Sequence, residues 1–183
     1  MRARSWTWWK GGYPEMTVIA GEELWRLVFE GEPPLVTPCA PEQMQINGVE
    51  LTLAEVGTWR GAGALSFDNA ARVIPETEPL PFDEEGWVAL APGGYAITFR
   101  ETVNIPADVC ALARPRSSLL RMGATVATAW WDTGYRGRSR ALLQVNNPHG
   151  VRLRLEARLI QLVFFRLPGF LARGYDGAYQ GEV

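Results

Sequence analysis

"VRLRLEARLIQLVFFRL", residues 151–167, opens with strict alternation, setting apolar Val151, Leu153 and Leu155 against Arg152 and Arg154. A period of two puts the apolar set on one face of an extended chain, the pattern of a half-buried strand. The stretch then becomes a continuous apolar run, as expected of a strand buried on both sides. Working outward, "RSRALLQVNNPHG" (138–150) reads as a strand closed by a turn. "GWVALAPGGYAITFRETVNIP" (86–106) reads as strand, Pro-Gly-Gly turn, strand. "NGVELTLAEV" (47–56) opens on an Asn-Gly turn signal and alternates Val49, Leu51 and Leu53 against polar neighbours. Short strands at this spacing predict an all-β sandwich or barrel of jelly-roll type, with short peripheral helices.

The two ends differ from this pattern. "GEELWRLVFEG" (21–31) sets Leu24, Leu27 and Val28 on one helical face and stops at Gly31, which predicts a short helix. "EPPLVTPCAPE" (32–42) is a proline-rich connector, so residues 1–42 read as a peripheral helix and linker. "RGYDGAYQGEV" (173–183) is Gly-rich and aromatic, and reads as a mobile tail able to act as a flap. The whole chain of 183 residues fits one domain, 1–183, without internal repeats.

Composition removes several function classes. With 47% apolar and 21% charged residues the balance is that of an ordinary globular protein. A net charge of −2 gives no global attraction to nucleic acid polymers or to an anionic membrane. Lys10 is the only lysine, so arginine supplies nearly all the positive charge; codon bias alone accounts for that, though arginine is also the better fork for phosphate. Cys39 and Cys110 lie far apart without C-x-x-C spacing and read as buried thiols, a single disulfide being the alternative. No apolar run is long enough to span a bilayer, and "MRARSWTWWKGGYPE" (1–15) lacks the apolar core of a signal peptide. A cytoplasmic location is therefore expected. Trp6, Trp8 and Trp9 in that segment suggest packing against the strand layer.

His149, in the "NNPHG" turn, is the only histidine. That leaves a Ser-His-Asp triad without a well-placed base and excludes a zinc site of His with paired Cys. Neither G-x-x-x-x-G-K-[ST] nor G-x-G-x-x-G occurs. Any chemistry must come from carboxylates, amides, hydroxyls and arginines, with a metal ion brought in by the substrate.

Two stretches supply such groups. "ARPRSSLLRMG" (113–123) predicts a short helix capped by Ser117 or Ser118, with Leu119, Leu120 and Met122 as its apolar face and Gly123 at its end. Free N–H groups at its start, with the guanidiniums of Arg116 and Arg121, would suit a phosphate. The local pattern is equally that of a connector helix with solvated arginines. "AWWDTGYRGRS" (129–139) sets Asp132 after two tryptophans and before a tight turn. Asp132 reads either as a turn acid or as a partly desolvated, and so more basic, carboxylate.

Taken together these stretches resemble the trimeric dUTPase and dCTP deaminase superfamily, in particular the archaeal-type dUTPases of its deaminase-like branch. "PRSSLL" is similar to the family's Arg-Ser phosphate motif, and "WWDTGYRG" to its Asp-x-Gly-Tyr-x-Gly motif, with threonine where proline or alanine is commoner. "EARLIQLVFF" resembles Gly-x-Arg-Ile-Ala-Gln-Leu, and "QINGVELTL" the early Gly-x-Asp-Leu motif, with Glu50 for aspartate. "AYQGE" is similar to the Tyr-Gln-Gly ending. All five fall in the family's order.

The resemblance implies a distorted jelly roll of the β-clip, dUTPase-like kind. It implies a homotrimer with sites at subunit interfaces, and hydrolysis of dUTP at the α-phosphate to dUMP and pyrophosphate with Mg²⁺. It assigns Asp132 to the attacking water and Tyr135 to the face of the deoxyribose. Arg116, Ser117, Ser118 and Arg121 go to the phosphates, and Gln161 to the water or a phosphate oxygen. Glu50 falls near the metal-triphosphate. Thr128 belongs to the hairpin "GATVATAW" (123–130), whose main chain reads uracil in the family, and Tyr179 and Gln180 to the closing tail.

The same fold hosts dCTP deamination, which needs a glutamate in the strand after the aspartate motif. That position falls at Leu142, or at Gln144 if two extra residues are allowed, and neither can act as a general base. The hydrolase is therefore the main expectation. A deaminase, a bifunctional deaminase-diphosphatase and a non-catalytic nucleotide binder are the alternatives.

Overall fold

Residues 15–168 and 174–182 are described by the structure, a computed structural model. Trp6, Trp8 and Trp9 lie outside the described residues. In chain order the elements are β1 Thr17–Val18, α1 Gly21–Phe29, β2 Val36–Thr37, a 3₁₀ turn Pro41–Gln43, β3 Met44–Gln45, β4 Gly48–Trp59 and β5 Thr77–Pro79. There follow β6 Trp87–Leu90, β7 Gly93–Asn104, β8 Val109–Pro115, α2 Ser117–Arg121, β9 Ala124–Ala127, β10 Arg136–Val145, β11 Val151–Arg154 and β12 Arg158–Arg166.

These strands form a curled antiparallel sheet in the order β1-β12-β4-β7-β10-β9, with β8 also paired to β12 and β5 to β4, and a two-stranded β11-β6 sheet. The all-β expectation holds. Its core is the inward set on the long strands: Leu51, Leu53, Ile97, Phe99, Leu143, Ile160, Leu162 and Phe164 are all essentially without solvent contact. Helix α1 adds Leu24 and Val28 to it, as the sequence predicts. Among the described residues no helix is long and apolar enough to cross a membrane.

The stretch 151–167 is not one strand. Glu156, at φ 63, turns the chain between β11 and β12, which belong to different sheets. On β12 one face (Ile160, Leu162, Phe164) is fully buried while Gln161, Val163 and Phe165 are half-buried, so burial on both sides is only partial. On β4 the departure is opposite: Glu50 and Thr52, on the polar face, are both 5% exposed. The 3₁₀ turn covers that face, with Gln43 Nε2 donating to the Glu50 carbonyl oxygen (2.8 Å).

Register shifts interrupt the ladders at Arg158/Ile160, Leu53/Glu55 and Arg138/Arg140. Such irregularities raise the local twist and curl a sheet. At the last of them Ser139 alone stands against Phe99, Arg100 and Glu101, since Arg138 pairs with Thr102 and Arg140 with Thr98. Glu101 is wholly buried there. Its Oε1 accepts from Gln43 Nε2 (2.8 Å) and Thr52 Oγ1 (2.6 Å), and its Oε2 from the Thr52 amide (2.9 Å).

Candidate functional site

Asp132 sits where the chain leaves an isolated bridge between Trp131 and Ala111 of β8. Its carbonyl oxygen accepts from the Tyr135 amide (3.2 Å), and Gly134 has φ +80. That positive φ at the third position is the requirement of a type II turn, which explains the glycine. The turn is pinned to the loop after β7: Gly134 N–H donates to the Ile105 oxygen (3.0 Å), and Ile105 N–H to the Tyr135 oxygen (2.8 Å).

The tryptophans do not desolvate the carboxylate. Trp131 turns inward at 4% exposure, while Trp130 stays 54% exposed with its ring 6.4 Å from that of Phe165. Asp132 is exposed in the single chain, which corrects the expectation of a partly buried acid.

Beside it opens a cavity of about 740 Å³ with aromatic walls, among them Trp59, Trp131, Tyr135, Tyr175 and Tyr179. Its polar lining includes Asp132, Ser139, Arg140 and Glu182. Leu142 also lines it; Gln144 does not. Of the two β10 positions where deamination would look for an acid, Leu142 is therefore the one that reaches the cavity, and β10 carries no acid from Arg136 to Val145. Tyr135 is 8% exposed, its ring edge-on to Tyr175 at 5.6 Å, and burial pushes its phenol above the usual tyrosine range. Residues 174–182 lie against the same turn: Tyr175 N–H donates to the Thr133 oxygen (2.6 Å), and Arg138 N–H to the Glu182 oxygen (2.7 Å). Gln180 clasps the turn, Nε2 donating to Gly134 O and Oε1 accepting from Arg136 N–H, both at 3.0 Å. Tyr179 lines the cavity, whereas Gln180 and Thr128 do not.

A second group of polar side chains forms where β12, β4 and α2 meet. Helix α2 is a single turn with Arg116 at the N-cap position, and neither serine caps it. Ser117 and Ser118 are its exposed first residues, so their hydroxyls stay free while the first-turn N–H groups lack intrahelical acceptors. Only Leu119 is buried; Leu120 and Met122 are 50% and 39% exposed, so the expected apolar face is one residue wide. Gly123 ends the helix at φ +80 as predicted. Arg121 is exposed at its far end.

Glu50 is held between two guanidiniums. Its Oε1 is 2.5 Å from Arg116 Nε, and its Oε2 is 3.0 Å from Arg158 Nη1, too poorly aligned there to count as a hydrogen bond. Arg158 Nη1 donates to the Glu42 oxygen (2.6 Å), tying the 3₁₀ turn to the cluster. Gln161 stands opposite Glu50 and Arg114 in register, its Nε2 donating to Asn47 Oδ1 (2.9 Å). Arg158 was legible only as part of "EARLIQ", without a role. Among the described residues no three of His, Cys, Asp and Glu gather as a metal cluster would require.

The two groups lie at opposite ends of β8. Asp132 neighbours Cys110, whose thiol is pushed up by burial and then by the Asp132 charge. Arg116 follows the strand's other end, six residues on from Cys110, or about 20 Å of extended chain. No single chain closes that gap with side chains.

Comparison with known proteins gives a consistent set. Residues 18–167 match the model of a family described as dCTP deaminase-like. A Methanosarcina mazei protein named "Probable deoxyuridine 5'-triphosphate nucleotidohydrolase" is 47% identical over 169 residues, covering 91% of this chain and 98% of the relative. A Methanocaldococcus jannaschii protein named "Deoxyuridine 5'-triphosphate nucleotidohydrolase" is 36% identical over 143 residues, 77% of this chain and 89% of that protein. Among solved structures, the 2'-deoxycytidine 5'-triphosphate deaminase of Agrobacterium tumefaciens superposes with a TM-score of 0.58 at 19% identity. That match spans 82% of this chain and 48% of the deaminase chain, and it bears on the fold alone.

Proposed function

The chain belongs to the dCTP deaminase-like family, and from that premise we propose that it is a dUTP nucleotidohydrolase, cleaving dUTP to dUMP and pyrophosphate. The observation that carries hydrolysis over deamination is the cavity wall: β10 offers it no acid, only the alkyl side chain of Leu142 at the nearer of the two candidate positions, while Asp132 also lines the cavity. The two relatives named as dUTP nucleotidohydrolases agree with it.

In this reading Asp132 takes a proton from water as the water oxygen bonds to the α-phosphorus and the bond to the pyrophosphate oxygen breaks. A positioned general base contributes roughly 10²–10⁴-fold. Tyr135 lies against the deoxyribose, and the main chain around Thr128 meets the base. Arg116, Arg121, Ser117, Ser118 and the first-turn N–H groups of α2 stabilise charge on the phosphates, which is most of what phosphoryl transfer asks of a protein. Gln161 fixes the water or a phosphate oxygen, and Tyr179 and Gln180 close the site.

Because about 20 Å separates the acid from Arg116 within a chain, the phosphate donors come from a neighbouring copy, in a homotrimer with shared sites. Magnesium enters with the triphosphate. The residues present do not fit a metal site of the protein's own, since Glu50 is already neutralised by two arginines. The location proposed is cytoplasmic.

The test is incubation with Mg²⁺ and dUTP or dCTP separately, for wild type and Asp132→Asn. Pyrophosphate from dUTP with wild type only is expected, with nucleotide binding kept in the variant. Ammonia from dCTP would return the deaminase, no product from either would leave a binder, and a monomer in sedimentation would end the shared site.

A further inference from the structure

One buried hydrogen-bonded chain in the cavity wall joins Tyr135 to two residues that have no part in the roles above. Trp131 Nε1–H donates to Ser139 Oγ (2.7 Å), and Ser139 Oγ–H donates to the Tyr135 phenol oxygen (3.2 Å). The three residues are 4%, 6% and 8% exposed. The direction of the first bond is fixed by chemistry. An indole nitrogen can only donate, so Ser139 must receive it, and the serine proton stays free to go to the phenol, the direction in which the second bond is drawn. Tyr135 then keeps its own O–H while its oxygen is anchored.

Ser139 reaches this place through the irregular ladder, where it alone faces three residues of β7. Bulged positions next to a site commonly serve to re-aim one side chain. The remaining walls around the ring leave little slack: Tyr175 stands edge-on, and a Cβ at Gly137 would come within 3.0 Å of the phenol oxygen. A ring held by packing alone can tilt; one whose tip is bonded to a buried strand cannot without losing that bond.

We infer that Ser139 is a positioning residue: through its bonds to Trp131 and Tyr135 it holds the phenol ring against the sugar and so sets how strongly this site prefers deoxyribose to ribose. The inference rests on the nucleotide reading above. A ribose 2′-hydroxyl needs the ring to give way by about an ångström, a displacement of the size that decides rates at well-ordered sites.

The experiment is a double-mutant cycle on the ratio of kcat/KM for dUTP to that for UTP, using Ser139→Ala, Tyr135→Phe and both together. Each single change cuts the same bond, so each lowers the ratio about five-fold, the worth of one neutral buried hydrogen bond. The double variant falls no further, because coupled residues are not additive. Ser139→Thr, which keeps the hydroxyl, restores the ratio. Trp131→Phe, which cuts the chain from its other end, lowers it. An unchanged ratio in Ser139→Ala, additive losses in the double variant, or a threonine variant as poor as alanine would overturn the inference. Should wild type hydrolyse neither nucleotide, the hydrolase reading fails separately, and the same cycle is read from the Kd of dUMP against UMP.

Discussion

Replacing Glu50 by glutamine removes the one buried charge from a cluster with two part-exposed arginines and leaves its shape nearly intact. Opposite unit charges about 4 Å apart attract by about 4 kcal/mol at an effective dielectric near 20. Glu50 makes two such pairs, against a desolvation cost of several kcal/mol for the ion itself. Breaking a buried pair from one side typically costs about 3–5 kcal/mol. The Arg116 and Arg158 side chains are 29% and 38% exposed, so water screens part of their repulsion once the acid is gone. The expected loss is therefore at the low end, about 3 kcal/mol, a large share of the ~5–15 kcal/mol that holds a domain folded. With a urea m-value of about 3 kcal/mol/M the midpoint falls by about 1 M. Far-UV circular dichroism at fixed protein concentration reads this, since assembly would otherwise shift the midpoint by mass action. In activity, freeing Arg116 raises KM for dUTP about ten-fold, one charge-assisted hydrogen bond, and leaves the half-saturating Mg²⁺ concentration where it was. A midpoint shift under about 0.3 M at constant m would refute the brace. So would a weakened Mg²⁺ response with KM for dUTP unmoved, which would put Glu50 on the metal.

Three further outcomes are expected. Glu101→Gln turns an acceptor for three donors into a group with one donor of its own, setting two amides against each other, and lowers stability by about 1–3 kcal/mol in urea unfolding; an unchanged midpoint would mean water or a shifted Gln43 satisfies the site. Burial, then the Glu101 charge, pushes the Cys39 thiol up to about 11, so it resists iodoacetamide at pH 8 in the native protein, while Asp132→Asn speeds alkylation of Cys110 by removing the charge that raises its pKa; mass spectrometry of tryptic peptides reads both. Tyr135 and Cys39 have folded pKa values above their unfolded ones, so the stability they carry is complete below the unfolded values and is lost as pH rises through the folded ones. Unfolding free energy should fall between about pH 9 and 11, and a flat profile there would contradict their burial.

How much of this was legible varies with the kind of signal. Period-two patterning located β4, β7, β10 and β12 because one face of each packs in the core, and no other force produces that alternation. It failed where a second face was also covered: the polar side of β4 reads as solvated, yet Glu50 and Thr52 are buried under the 3₁₀ turn. Glu101 could have been found, since it falls in phase with Ile97, Phe99 and Val103 on β7, and an acid on the apolar phase needs partners. Ser139 is in phase with Leu143 and Val145 but small, and nothing local says that its hydroxyl meets an indole and a phenol 8 and 4 residues away. Asp132 and Tyr135 were legible as chemistry through their turn and its glycine. The exposure of Asp132 was not, because which way two adjacent tryptophans point depends on β8 and on Phe165, not on their neighbours in sequence.

The placing of acid and arginine at opposite ends of β8 also bears on inheritance. If each working centre is split between copies, a lesion in one half harms only the centres that the damaged polypeptide helps to build. Two alleles broken in different halves can then yield some intact centres in a mixed assembly, where a self-contained pocket would yield none. Harmful variants of the two groups should therefore complement one another in part.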